Sequence, residues 1–234
     1  LKNGGEEARM LDVTSYAEWG LGFAPDEHRE FHKLFVETRA DVERGAVYAR
    51  KCLWGFPDEE GRHNNVDWPY TAFMATSEPL RSFDCDKESF FGLYNNDDRP
   101  QAMRDERLAG RCGRFGDPIA ALQVAVELAP GESRTIVFTL GAAEDGKEDA
   151  AELASRYTGV EQSAAALEDV HAFWSRFIDT EKVETPDEAL NFMTNVWLKY
   201  QSISCRLWGK SAFYQVSAGY GYRDQLQDSQ IFLV

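Results

Sequence analysis

Short runs rich in β-branched and aromatic residues, separated by turn residues, fill the first part of the chain, and the period then lengthens near Gly146. Val13 to Trp19, Lys33 to Thr38 and Ala46 to Trp54 each predict a strand. Ala121 to Leu140 predicts a hairpin: Val124, Val126 and Leu128 alternate with Gln123, Ala125 and Glu127, Pro130-Gly131-Glu132-Ser133 supplies a turn, and Ile136, Phe138 and Leu140 alternate back. One wholly apolar side per strand is what a sheet lying on a core requires, so residues 1–142 read as a large β-sandwich. The segments between Gly55 and Trp68 and between Tyr94 and Pro118 are long enough to carry function.

Beyond Gly146 the spacing is helical. Lys147 to Tyr157 predicts one helix. Gln162 to Phe177 predicts a second, with Leu167, Val170, Trp174 and Phe177 on one stripe. Thr185-Pro186-Asp187-Glu188 reads as the start of a third, with Thr185 as N-cap, Pro186 at the first helical position and Glu188 closing a capping box. Leu190, Met193, Trp197 and Tyr200 continue that helix toward Leu207. The expected layout is a sandwich over 1–142, a helical linker over 143–184 and the first part of an α domain over 185–234. Ile231-Phe232-Leu233-Val234 lies in an apolar run without a cap, so the protein is expected to continue past it.

Composition narrows the partners. The chain has 234 residues, 43% of them hydrophobic and 13% aromatic, and a net charge of −15. That surface repels nucleic acid and anionic membranes. No apolar stretch is long enough to span a bilayer, and the first residues lack the apolar core of a signal peptide, which makes the cytoplasm the expected location. Cys52, Cys85, Cys112 and Cys205 have no CxxC spacing and read as free buried thiols.

Most candidate chemistry dissolves on inspection. His28 and His32 are four apart, but the intervening Arg29-Glu30-Phe31 does not form HExxH and no third ligand is near. Asp84, Asp86 and Glu88 would share one face of a strand and could hold calcium, but the EF-hand pattern is absent, and a charged solvent face or a loop anchored by its own hydrogen bonds explains them better. Cys205 has no base beside it, and the glycine-rich nucleotide motifs and GxSxG are missing.

The span from Tyr200 to Ser229 is different. It holds Arg206, Arg223, Asp224 and Asp228, with Gln215, Gln225, Gln227 and several aromatics. From residue 201 onward three cations face two carboxylates, against the acidic balance of the whole chain. Gly209, Gly219 and Gly221 imply a turned backbone between the arginines. Aromatic rings with amide and carboxylate neighbours suit a sugar ring, and arginine suits phosphate. The residues alone leave open either a concave site or an ion-pair cluster on the surface.

Ser204-Cys205-Arg206-Leu207-Trp208-Gly209-Lys210-Ser211-Ala212-Phe213-Tyr214-Gln215, followed by Gly221-Tyr222-Arg223-Asp224-Gln225-Leu226-Gln227-Asp228-Ser229, closely resembles the inverting disaccharide phosphorylases of the cellobiose phosphorylase type, glycoside hydrolase family ninety-four, formerly glycosyltransferase family thirty-six. Val13 to Trp19, Lys33 to Thr38 and Gly116-Asp117-Pro118-Ile119-Ala120-Ala121-Leu122-Gln123 resemble the same family's N-terminal sandwich. The resemblance implies a β super-sandwich, linker helices and the start of an (α/α)6 barrel. It implies reversible phosphorolysis: a β-linked di- or oligosaccharide and inorganic phosphate give an α-sugar 1-phosphate. It places Arg206 on the phosphate side and Arg223 and Asp224 at the donor sugar, with Asp228, Tyr222 and Gln225 in the same block. It implies no metal or organic cofactor, phosphate being a substrate, and a homodimer as the assembly. The family's general acid falls beyond Val234, so no catalytic residue is assigned and residues 1–234 alone are expected to be inactive. A module of a cyclic β-glucan synthase, a β-glucan phosphorylase and a non-catalytic sugar-binding sandwich are the alternatives.

Overall fold

The computed structural model describes residues 1–22, 32–52, 68–207 and 222–230, without the side chains of His32, Cys205, Arg206, Leu207, Tyr222, Asp224, Gln225 and Asp228. Its described residues form two compact units, 1–164 and 165–234.

In the first unit β1 (Arg9–Glu18), β6 (Pro118–Leu128) and β5 (Leu80–Asp86) make an antiparallel sheet in the order β1-β6-β5. A second antiparallel sheet runs β2 (Val36–Asp41), β3 (Ala46–Lys51), β4 (Tyr70–Thr76), β7 (Phe138–Glu144). Val36, Val47, Ala49, Ala72 and Met74 of the second sheet meet Cys85, Ala120 and Leu122 of the first, and this contact is the sandwich core. Full burial of a side chain the size of Leu122 contributes roughly 1.5–3 kcal/mol.

Both sheets are also covered on their outer faces. Helix α1 (Lys87–Phe91) and the 3-10 turn Gln101–Met103 bring Phe90 and Ala102 over Ile119 and Ala121. Helix α2 (Ala150–Thr158) lays Ala150, Ala151 and Ala154 on Tyr48, Phe73 and Ala143. Its alanines let the helix approach closely. The side chain of Asp149 caps it, accepting from the Ala151 and Glu152 amides at 2.8 and 3.0 Å.

Several sequence expectations need correction. Ala121–Leu140 is not a hairpin, because β6 and β7 belong to different sheets. β6 is the central strand of its sheet, with β1 and β5 on its two edges, so no edge remains for β7. The turn at Pro130–Ser133 exists, with Gly131 at φ 75°, but it leads the chain to the amino-terminal residues through Asn3 and Lys2. The strand expected over Lys33 to Thr38 is a 3-10 turn at His32–Phe35 followed by β2. β4 and β5 were not separately anticipated. Cys112 is exposed, unlike the buried Cys85, so the reading of all cysteines as buried fails there. Residues 53 and 54, the end of the strand expected over Ala46 to Trp54, lie outside the described residues.

In the second unit helix α3 (Val160–Ile178), which begins in the first, is followed by a nearly continuous helical run over 188–207. The run alternates in type: α4 (Glu188–Phe192), a π segment (Met193–Trp197), α5 (Leu198–Gln201) and a second π segment (Ser202–Leu207). Helix α6 (Tyr222–Ser229) follows.

Candidate phosphate and sugar site

The 188–207 run starts two residues later than its sequence suggests. Asp187 is the N-cap, accepting from the Ala189 and Leu190 amides at 2.9 and 3.2 Å. Thr185 instead accepts from the Asp187 amide and donates its hydroxyl to Asn191 at 2.8 Å. A carboxylate outcompetes a hydroxyl for the first-turn amides because its full charge meets the positive end of the helix.

Among the described side chains of the run, Lys199 and Ile203 are buried, each 2% exposed. The Lys199 ammonium donates to the carbonyls of Ile178 (2.9 Å), Glu181 (2.6 Å) and Thr180, closing the carbonyl end of α3. Burial pushes its pKa down from the ordinary lysine value, while the neighbouring charges of Glu181 and Asp179 hold the proton on. On the same run the ring of Tyr200 lies 5.5 Å from that of Trp174 in α3 and 6.2 Å from that of Trp197.

The two segments that carry the expected site residues come together. Cα atoms of α6 lie within 8 Å of those in Ser202–Leu207, so the segment that carries Arg206 adjoins the helix that carries Tyr222, Arg223, Asp224, Gln225 and Asp228. Arg223 is exposed. The side chains of Arg206, Tyr222, Asp224, Gln225 and Asp228 lie outside the described ones, as do Gly209, Gly219 and Gly221.

The remaining candidates resolve without a site. His28 lies outside the described residues, and His32 contributes only backbone to a 3-10 turn. Asp84 and Asp86 lie in β5 but Glu88 is in α1, so the three do not share a strand face. Asp84 is fully buried, accepts from the Ser89 hydroxyl at 2.5 Å and the Asp86 amide at 3.3 Å, and fixes the entry to α1. Among the described residues no group of three or more His, Cys, Asp or Glu is arranged to hold a metal ion, and no helix is long and apolar enough to cross a membrane.

The first unit is a two-sheet sandwich, and in the second the segments that carry Arg206 and Arg223 adjoin. The chain belongs to the glycosyl hydrolase 94 family: residues 1–160 match its supersandwich domain and residues 173–234 match the catalytic domain of the superfamily. It is 34% identical to the cyclic beta-(1,2)-glucan synthase NdvB of Rhizobium meliloti over 100% of this chain and 8% of that protein. It is 24% identical to the N,N'-diacetylchitobiose phosphorylase of Vibrio proteolyticus over 98% of this chain and 27% of that protein. It is 30% identical to the 3-O-beta-D-glucopyranosyl-beta-D-glucuronide phosphorylase of Paenibacillus borealis over 84% of this chain and 26% of that protein. The chain thus spans between 8% and 27% of the length of these relatives. The order of sandwich and then catalytic domain agrees with the β-then-α order of the sequence pattern and with the family resemblance.

Proposed function

We propose that this chain is part of an inverting glycoside phosphorylase that cleaves a β-linked di- or oligosaccharide with inorganic phosphate to give an α-sugar 1-phosphate. The observation that carries the reading is the adjacency of α6 to Ser202–Leu207 within the segment that matches the catalytic domain. Similarity to two phosphorylases along most of the chain supports it.

The chemistry follows from the nucleophile. An inverting hydrolase needs an acid for the leaving oxygen and a base for water. Phosphate is already an anion, so the base is dispensable. A cationic group must offset charge repulsion and aim the phosphate oxygen at the anomeric carbon, the role given to Arg206. Arg223 and Asp224 hold the donor sugar, with Asp228, Tyr222 and Gln225 as supporting contacts to sugar hydroxyls or to Arg223. The acid that protonates the leaving oxygen comes from residues beyond 234, in the rest of an (α/α)6 barrel. The reaction needs no metal or organic cofactor. By analogy with the family, the complete protein is a cytoplasmic homodimer that engages neither nucleic acid nor membrane.

The test is to incubate the complete gene product with a panel of β-disaccharides, with and without phosphate. Cleavage that requires phosphate and yields an α-sugar 1-phosphate supports the reading, and equal cleavage without phosphate overturns it. The match to NdvB along the whole chain favours a second reading, a module of a cyclic β-glucan synthase. Formation of a cyclic β-(1,2)-glucan by the complete protein, with no sugar 1-phosphate released, selects that alternative.

A further inference from the structure

Asn191, Asn195 and Lys199 stand four residues apart on the 188–207 run and so share one face. Each satisfies backbone groups of the preceding connection. Asn191 donates to the Thr185 carbonyl at 2.8 Å and accepts from the Thr185 amide at 2.9 Å. Asn195 repeats the arrangement on Val183, both bonds at 2.8 Å. Val183 and Thr185 are two apart, so in an extended segment their polar groups point the same way, and the two side-chain amides pair with them as a neighbouring strand would. Lys199 completes the row on the carbonyls of Ile178, Thr180 and Glu181. Glu181 sits in the left-handed region at φ 39°.

The place of Lys199 in the run matters. α5 is a single α turn between two π segments, and a π segment changes how far the helix rotates per residue. The phase of the second π segment, which carries the backbone of Arg206, therefore follows from that of α5. Lys199, in α5, is held by three carbonyls and is buried. Ile203, one turn on, is buried as well.

We infer that Lys199, assisted by Asn195, is a positioning residue that sets the direction of Arg206 for phosphate. The inference rests on the phosphate role proposed above for Arg206. A lysine serving stability alone would change how much protein is folded. A positioning lysine changes the affinity of the folded protein for one substrate.

The experiment uses the complete protein and steady-state kinetics in both substrates. Lys199→Met removes the donors and keeps much of the apolar stem. The expected result is a KM for phosphate raised about tenfold, a KM for the sugar within about twofold, and recovery of most of the loss in Lys199→Arg. In an Arg206→Ala background Lys199→Met should add no further change to the phosphate KM, because it acts through that arginine. Should Lys199→Met not fold, Asn195→Ala carries the test with the same split at smaller size. Val183 is 44% exposed, so water replaces the lost bonds. A phosphate KM that stays put while Vmax falls with the folded fraction overturns the inference, as do effects that multiply in the double variant. If the unaltered complete protein performs no phosphorolysis, the functional reading fails by itself. The clasp is then judged by amide exchange: faster exchange over 202–207 in folded Lys199→Met upholds the positioning of that turn, and unchanged exchange overturns it.

Discussion

The ring of Phe73 occupies the space where residue 141 would carry a side chain. The two residues face each other across β4 and β7, and a Cβ on Gly141 would stand 2.6 Å from Phe73 Cζ. Phe73 is 1% exposed and lies under the alanines of α2, so its ring has nowhere to go. Gly141→Ala should therefore destabilise the sandwich by about 1–3 kcal/mol, the cost of overpacking a filled core. Urea unfolding followed by tryptophan fluorescence measures it, and an unchanged midpoint would show that the ring can yield.

Tyr48 gives the opposite sign. Among the described residues its hydroxyl is buried without a hydrogen-bond partner, and the Arg39 guanidinium lies 4.0 Å from the centroid of its ring. Burial also pushes its phenol pKa up. Tyr48→Phe keeps the ring under Arg39 and removes the stranded oxygen, so it should stabilise the fold by about 1 kcal/mol. Tyr48→Ala should cost about 3–5 kcal/mol through the cavity it leaves. A loss of stability in Tyr48→Phe similar to that in Tyr48→Ala would mean the hydroxyl has an ordered partner.

How far such relationships were legible in the sequence depended on whether they were local. The helices after Gly146 were readable because an amphipathic stripe is written within one segment, as Leu167, Val170, Trp174 and Phe177 show. The supposed hairpin failed because alternation reports which face of a strand is buried and not which strand lies beside it. The seven residues Tyr70–Thr76 gave no clear signal because β4 is buried on both faces, Phe73 under α2 and Ala72 and Met74 toward the other sheet, which erases alternation. The family was legible through the arginine–aspartate block, which lies within the segment that matches the catalytic domain. The Asn191–Asn195–Lys199 row was not read from the sequence, because its partner, an extended backbone segment, has no signature in side chains.

Asp84 offers a test in pH. Burial raises its pKa above the ordinary 3.8, and the Ser89 hydroxyl and the Asp86 and Cys85 amides pull it back only in part. A raised acid binds its proton more tightly in the folded state. The favourable contribution is thus complete below the unfolded pKa and is lost as pH rises through the folded value. Asp84→Asn has no such proton to lose. Relative to the unaltered protein its thermal stability should improve steadily as pH is raised from about 4 toward neutrality. A difference between the two that does not vary with pH would exclude a raised pKa.

The thiols should separate by reactivity. Cys85 is 3% exposed, and burial pushes its pKa up to about 12, so almost no thiolate forms near neutral pH. Cys112 is exposed on the neighbouring segment, whose Arg111 carbonyl accepts the Cys85 amide at 2.9 Å. Alkylation of native protein at pH 8, read by peptide mapping, should modify Cys112 within minutes and Cys85 only after unfolding. Equal labelling of both would show that this part of the sandwich opens readily.

The two arginines should divide the substrates between them. If Arg206 meets phosphate, Arg206→Ala in the complete protein leaves the anion without its cation, and the phosphate KM should rise by more than about tenfold with a smaller change for the sugar. Arg206→Lys keeps the charge but loses the planar fork, so it should recover only part of the loss. If Arg223 grips the donor sugar, Arg223→Ala should act on the sugar KM and on kcat together, because a loosely held ring presents its anomeric carbon poorly. Initial rates with each substrate varied in turn give both parameters. Identical effects of the two substitutions on both substrates would mean that the arginines act as one unit, and the assignment of separate roles would fall.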